Sequence, residues 1–77
     1  MKLDIISPEA KIYSGPATLV TLPGAQGSFT ILENHAPIIS PLNKGVIVYE
    51  QKGESVTLPV DGGFVEAKNN VVTVCIE

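Results

Sequence analysis

Turn-forming residues set the terms for everything else in this chain. Pro8, Gly15-Pro16, Pro23-Gly24, Gly27, Pro37, Pro41, Gly45, Gly53, Gly62-Gly63 and the pair Asn69-Asn70 cut it into runs of at most nine residues. Such runs suit strands and are too short for helices that stand on their own. Within them the apolar residues alternate. In "ESVTLPV" (54–60), Val56, Leu58 and Val60 fall on one face and Ser55, Thr57 and Pro59 on the other. Pro59 points to a sheet edge, where a missing N–H costs no ladder bond. "GVIVYEQ" (45–51) precedes it across Lys52-Gly53, which predicts a hairpin. "GFVEA" and "VVTVCIE" are joined through Lys68-Asn69-Asn70, and asparagine tolerates the left-handed backbone of a tight turn. The first half repeats the pattern with "KLDII", "AKIYS", "ATLVTL", "SFTIL" and "PIIS", separated by Pro8-Glu9, Gly15-Pro16 and the stretch Pro23-Gly24-Ala25-Gln26-Gly27. About nine or ten short strands predict an all-β fold, a small sandwich or flattened barrel of two antiparallel sheets.

With 77 residues, the chain forms one domain spanning 1–77. A domain this small buries only about 60% of its unfolded surface, and its core rarely supplies more than ~3–5 kcal/mol, so a contribution from a partner is expected. Disulfides cannot supply it, because Cys75 is the only cysteine, and a reducing compartment fits. Cys75 and His35, the single histidine, fall short of a zinc ligand set. The net charge is −3, arginine is absent and the lysines are scattered, which argues against a nucleic-acid partner. No apolar run approaches the ~20 residues of a membrane span. The start, with Asp4 and Pro8, does not read as a signal peptide, so the expectation is a soluble protein beginning at its first codon.

None of the reactive side chains has the company that catalysis needs. Cys75 shares a strand face with Val71 and Thr73, which reads as filler rather than an activated thiol. Asp4, Glu9, Glu33, Glu50, Glu54, Asp61, Glu66 and Glu77 sit at strand ends or alternate positions, as solvated charges do. "PGAQGS" (23–28) and "DGG" (61–63) do not open a helix after a strand, so they are turns and not phosphate cradles. His35 precedes Ala36-Pro37, in a surface loop leading into "PIIS", and reads as a structural or contact residue.

The segments "KLDIISPEAKIYSG", "VTLPGAQGSFTIL", "HAPII", "KGVI" and "DGGFVEAKNNVVTV", in this order and spacing, give the chain a further reading. Together they resemble the N-terminal β-sandwich domain of the epsilon subunits of bacterial F-type ATP synthases. The resemblance covers essentially the whole chain. It implies a non-catalytic rotor part without a cofactor, standing beside the gamma subunit and resting on the polar loops of the membrane c-ring. It also implies a peripheral location on the cytoplasmic side of the bacterial inner membrane. The ring-facing end would include Gln26, Gly27 and Ser28 together with Glu33, Asn34 and His35, while Ser7 and Ser40 would lie along gamma.

The chain also departs from that family's pattern. Similar sequences usually have an acid at the position of Ser28, a glycine at Thr30 and Pro-Gly at Glu33-Asn34, so ring contact would be rebuilt around Glu33. The two-helix C-terminal hairpin that carries ATP sensing and inhibition in relatives would begin where this sequence stops, at Glu77, and the expectation is a protein lacking that arm. A different class also fits the length: a lipoyl or biotinyl carrier domain presenting Lys52 at a hairpin tip. Carrier lysines sit in Asp-Lys-Ala or Met-Lys-Met settings, and "QKG" is neither.

Overall fold

A computed structural model describes residues 1–77. It contains nine strands: β1 (Lys2–Ile6), β2 (Lys11–Pro16), β3 (Leu19–Gly24), β4 (Gly27–Leu32), β5 (Ile38–Leu42), β6 (Gly45–Gln51), β7 (Glu54–Val60), β8 (Gly63–Lys68) and β9 (Val71–Ile76). Five of them pair in the order β2-β1-β9-β8-β5, and four in the order β4-β3-β6-β7. The two layers meet at one backbone pair, Gly24 with Leu42, where β5 touches the end of β3. The sheet thereby curls into the expected small sandwich.

Local chemistry accounts for the hairpins. Lys52 and Gly53 both have positive φ, as do Asn69 and Asn70, so the β6–β7 and β8–β9 turns are two residues long and left-handed at both positions. The β3–β4 turn is tighter than the sequence suggests. Pro23 and Gly24 stay in β3, Gly27 already pairs with Gly24, and only Ala25 and Gln26 turn the corner. Pro59 lies on β7, an edge strand, as expected. Counting back from the Gln51–Glu54 pair that closes the hairpin, Pro59 and Val46 form a pair that exchanges no ladder bond.

One pairing differs from a wholly antiparallel arrangement. β1 runs parallel to β9, with Leu3 beside Val72 and Ile5 beside Val74. Adjacency of the first and last strands is a long-range outcome that no hairpin signal announces. It aligns two apolar rows: Leu3–Val72–Ala67 and Ile5–Val74–Val65 cross β1, β9 and β8 with all six side chains buried. Val20, Leu22, Ile31, Ile47, Tyr49 and Val60 close the core from the other layer. Burying a large aliphatic side chain contributes about 1.5–3 kcal/mol. No polar or charged residue is buried. Tyr13 of β2 packs its ring 4.7 Å from that of Tyr49, and its hydroxyl donates to the Pro16 carbonyl at 2.7 Å while lying 2.6 Å from the Gln51 side-chain oxygen. Edge strand β2 is thereby fastened to β6.

Candidate interaction surfaces

In a sandwich, each strand that sends alternate residues into the core sends the others outward. On the five-stranded layer the outward set is unusually apolar. The register places Pro41 beside Phe64, Phe64 beside Cys75 and Cys75 beside Ile6, one continuous row across β5, β8, β9 and β1. Phe64 is 50% exposed, and Ile39, one row away, is 73% exposed. Ile12 adds a further exposed side chain at the β1–β2 irregularity. The neighbouring row starts with Ile39 and continues through the polar residues Glu66, Thr73, Asp4 and Ser14, and Ser14 donates to the Asp4 carboxylate at 2.6 Å. An apolar stripe with a polar border on an outer sheet face is the form of an association surface. "GVIVY" (45–49) on the other layer is also rich in apolar side chains. In the fold Ile47 and Tyr49 are buried, leaving Val46 exposed and Val48 half-buried. The wider apolar face lies on the opposite layer, assembled from strands that are not neighbours in sequence.

The polar residues singled out from the sequence fall at two ends of the molecule. Gln26, Gly27 and Ser28 form the tip of the β3–β4 hairpin. Glu33, Asn34 and His35 follow β4 at its other end, where Leu32 pairs with the first residue of β3. A six-residue strand spans roughly 17–20 Å, so β4 separates the two groups by about that length. Hairpin geometry enforces the separation, because a strand carries its two flanking loops to opposite edges of the sheet.

At the Glu33 end the side chains are occupied with one another. Asn34 has φ 60, and its N–H donates to Asn70 Oδ1 at 2.8 Å. The Asn70 side-chain N–H donates to Glu33 Oε2 at 3.1 Å, and the Met1 ammonium pairs with Glu33 Oε1 and donates to the Ala17 carbonyl at 3.1 Å. The ammonium's hydrogen bond, then that of Asn70, holds the Glu33 carboxyl below its ordinary range, against an opposing effect of desolvation. His35 is exposed. Its N–H donates to the Leu32 carbonyl at 3.2 Å, and its Nδ1 lies 2.7 Å from the Ala36 carbonyl, the geometry of an Nδ1–H donor. The hollow beside it, lined by Met1, Ile31 and Asn70 among others, has a volume of about 10 Å³, room for one water at most. At the hairpin tip, by contrast, no side-chain hydrogen bond engages Gln26 or Ser28, and both are exposed.

Ser7 follows β1 and Ser40 lies within β5. Ser7 closes the β1–β2 turn: its Oγ accepts from the Ala10 N–H at 3.2 Å and also lies 3.2 Å from the Ala10 carbonyl. Ser40 sits mid-strand in β5 opposite core residue Val65, and so belongs to the inward-facing set, with its hydroxyl donating to the Pro41 carbonyl at 3.0 Å. Cys75 is half-buried in the apolar outer row. Lys52 does occupy a hairpin tip, exposed, with φ 49. No group of three or more His, Cys, Asp or Glu side chains is arranged to hold a metal.

The β-sandwich domain of the ATP synthase delta/epsilon chain matches residues 1–77. The chain belongs to that family. It is 38% identical over 73 residues to the ATP synthase epsilon chain of Pelotomaculum thermopropionicum, an alignment that covers 95% of this chain and 54% of the relative. It is 41% identical over 75 residues to that of Leptospira interrogans, covering 96% and 58%. The chain thus spans little more than half the length of these relatives. In fold it is similar to a chain in the mitochondrial ATP synthase of Euglena gracilis, with a TM-score of 0.90, 21% identity and coverage of 96% of this chain and 48% of that one. It is also similar to a chain of the central stalk and c-ring of the Tetrahymena thermophila enzyme, with a TM-score of 0.81, 17% identity and coverage of 97% and 61%. None of these ties the chain to carrier domains.

Proposed function

We propose that this chain is the β-sandwich part of a rotor subunit in a proton-translocating F-type ATP synthase. It has no catalytic role of its own and transmits torque and position between the gamma subunit and the c-ring, on the cytoplasmic face of a bacterial membrane. The observation that carries this reading is the family match along all 77 residues, shared with epsilon chains at about two-fifths identity. The surface chemistry agrees with it. A rotor part needs a face that stays bound and an end that touches a second partner, and it needs no pocket. The stripe Pro41–Phe64–Cys75–Ile6 with Ile39 offers the first, as the side applied to gamma. The Gln26–Ser28 tip offers the second, because its polar side chains have no bonds to their own chain, whereas those of Glu33 and Asn70 are already engaged with each other.

Co-expression with a tagged gamma subunit tests the reading. A stoichiometric complex is expected from the unaltered chain. Phe64→Glu together with Ile39→Glu should abolish it while the chain stays folded, since both side chains are already half or more exposed. Absence of a complex with the unaltered chain would remove the rotor reading. Retention of the complex by the double variant would move the gamma contact to another face.

A further inference from the structure

The register of the five-stranded layer sorts its outward side chains into three bands. The first is the apolar row Pro41–Phe64–Cys75–Ile6, and the second carries the carboxylates of Glu66 and Asp4. In the third, Lys68 lies beside Val71 and Val71 beside Lys2, so the charges there are ammonium groups. Successive bands are two residues apart along each strand, roughly 7 Å. Apolar, acidic and basic chemistry therefore follow one another from the Gln26–Ser28 tip toward the Glu33 end. Pro41 lies next to the tip, its carbonyl accepting from the Ala25 N–H at 3.2 Å, and Asn70, which follows Lys68 and Asn69, bonds Glu33.

Not all of these charges are free. Ion pairs form only between Met1 and Glu33 and between Lys2 and Asp4, and Asp4 also accepts from Ser14. Glu66 and Lys68 lie on the outer side of β8, both exposed, and pair neither with each other nor with another charge. With Pro37 and Ile39 they line an open hollow of about 490 Å³. A carboxylate and an ammonium held at fixed positions beside an apolar stripe, and left unneutralised by their own chain, suit recognition of a partner with the opposite charge pattern.

We infer that Glu66 and Lys68 set the polarity of docking on this face: the partner carries a cationic side chain opposite Glu66 and an anionic one opposite Lys68, beside apolar side chains that meet Phe64. The inference rests on the rotor reading, in which the partner is the gamma subunit. Apolar contact alone is non-directional. The stripe runs across the strands, so burying it does not distinguish the domain from one turned end over end. The charged bands do, because both lie on the same side of the stripe. Turned over, the domain would carry Glu66 and Lys68 to the other side and away from their counterparts. A rotor part needs a fixed polarity, since only one end of the domain can face the ring.

Exchanging the two charges tests this, because Glu66→Lys with Lys68→Glu reverses the bands and leaves the composition and the net charge of −3 unchanged. Both side chains are exposed, so the melting temperature should stay at the parent value. Association with the gamma subunit, followed by stopped flow at low salt, should slow by about tenfold or more in the exchanged variant. Glu66→Gln with Lys68→Gln, which also keeps the net charge, should fall between the two. The differences should vanish at about 1 M salt, where the screening length is about 3 Å. Association of both variants as fast as that of the parent overturns the inference and leaves the rotor reading in place. So does a loss that persists unchanged at high salt, which would mark a contact of shape and not of charge. Absence of a complex with the unaltered chain would remove both.

Discussion

The backbone N–H of Asn34 donates to the side-chain oxygen of Asn70 across 2.8 Å, joining the loop after β4 to the turn between β8 and β9. Asn70 thus does two things at once: it holds a left-handed turn position at φ 62, and it bonds both Asn34 and Glu33. The two roles separate by substitution. Asn70→Gly keeps the backbone conformation and loses the side-chain bonds, costing about 0.5–1.5 kcal/mol per bond. Asn70→Ala loses the same bonds and adds the steric penalty of a left-handed non-glycine residue, about 1–2 kcal/mol more. Urea denaturation should rank the proteins wild type, glycine, alanine, and an alanine variant no less stable than the glycine variant would contradict the turn assignment.

Glu33 makes stability fall in acid. Its folded pKa lies below the ordinary 4.5, so the folded state binds its proton less readily than the unfolded chain. The contribution is complete above the unfolded value and is lost as the pH drops through the folded one. Glu33→Gln should be the less stable protein at neutral pH. The gap between the two melting temperatures should close as the solution is acidified below the carboxylate range; a constant gap would mean that the ionised carboxylate is not what matters.

At the alkaline end the sign reverses in the same logic. Burial, and secondarily the neighbouring Tyr13, raises the Tyr49 pKa above 10.0, so the folded state keeps a proton that the unfolded chain releases. Stability therefore declines once the pH passes the unfolded value. Melting curves taken across the alkaline range should be flatter for Tyr49→Phe than for the parent, and equal slopes would place the alkaline sensitivity elsewhere.

Gly24 sits where the layers join and has no room for a side chain. A Cβ there would lie 2.7 Å from the Gly27 carbonyl oxygen and 2.7 Å from the Phe29 ring. Gly24→Ala should cost about 1–3 kcal/mol through overpacking. Gly53 provides the control, because nothing lies within 4 Å of its would-be Cβ and only its φ of 78 resists substitution. Denaturation midpoints for the two alanine variants should differ in that sense, and a tolerated Gly24→Ala would show that the β3–β4 hairpin yields readily.

Because the two polar loops lie at opposite ends, one experiment can assign the ring-facing end. Gln26→Ala with Ser28→Ala is expected to weaken ATP-driven proton pumping in membranes carrying the assembled enzyme, while Glu33→Ala with His35→Ala should leave coupling near normal and lower only stability. The reverse pattern would turn the domain over relative to the ring.

Much of this molecule was legible in the one-dimensional chain because its strands rest on local rules. Alternation in "ESVTLPV" survives as Val56, Leu58 and Val60 on the inner face, Pro59 marks an edge, and Lys52-Gly53 and Asn69-Asn70 make the left-handed turns their chemistry suggests. The nine strands follow the apolar runs, although Gly15-Pro16, Pro23-Gly24 and Pro41 are drawn into β2, β3 and β5 instead of ending them. The tertiary structure alone decided what depends on strands distant in sequence. It set β1 parallel to β9, and so aligned Ile6 with Cys75 and Phe64 into one outer apolar row. It drew Ser7 into its own turn and held Gln26 apart from His35 by the length of β4. A side chain's direction along a strand repeats every two residues and can be read locally. Which strand lies next to it, and which end of the sheet a loop reaches, are fixed only when long-range pairing repays the entropy of closing the chain.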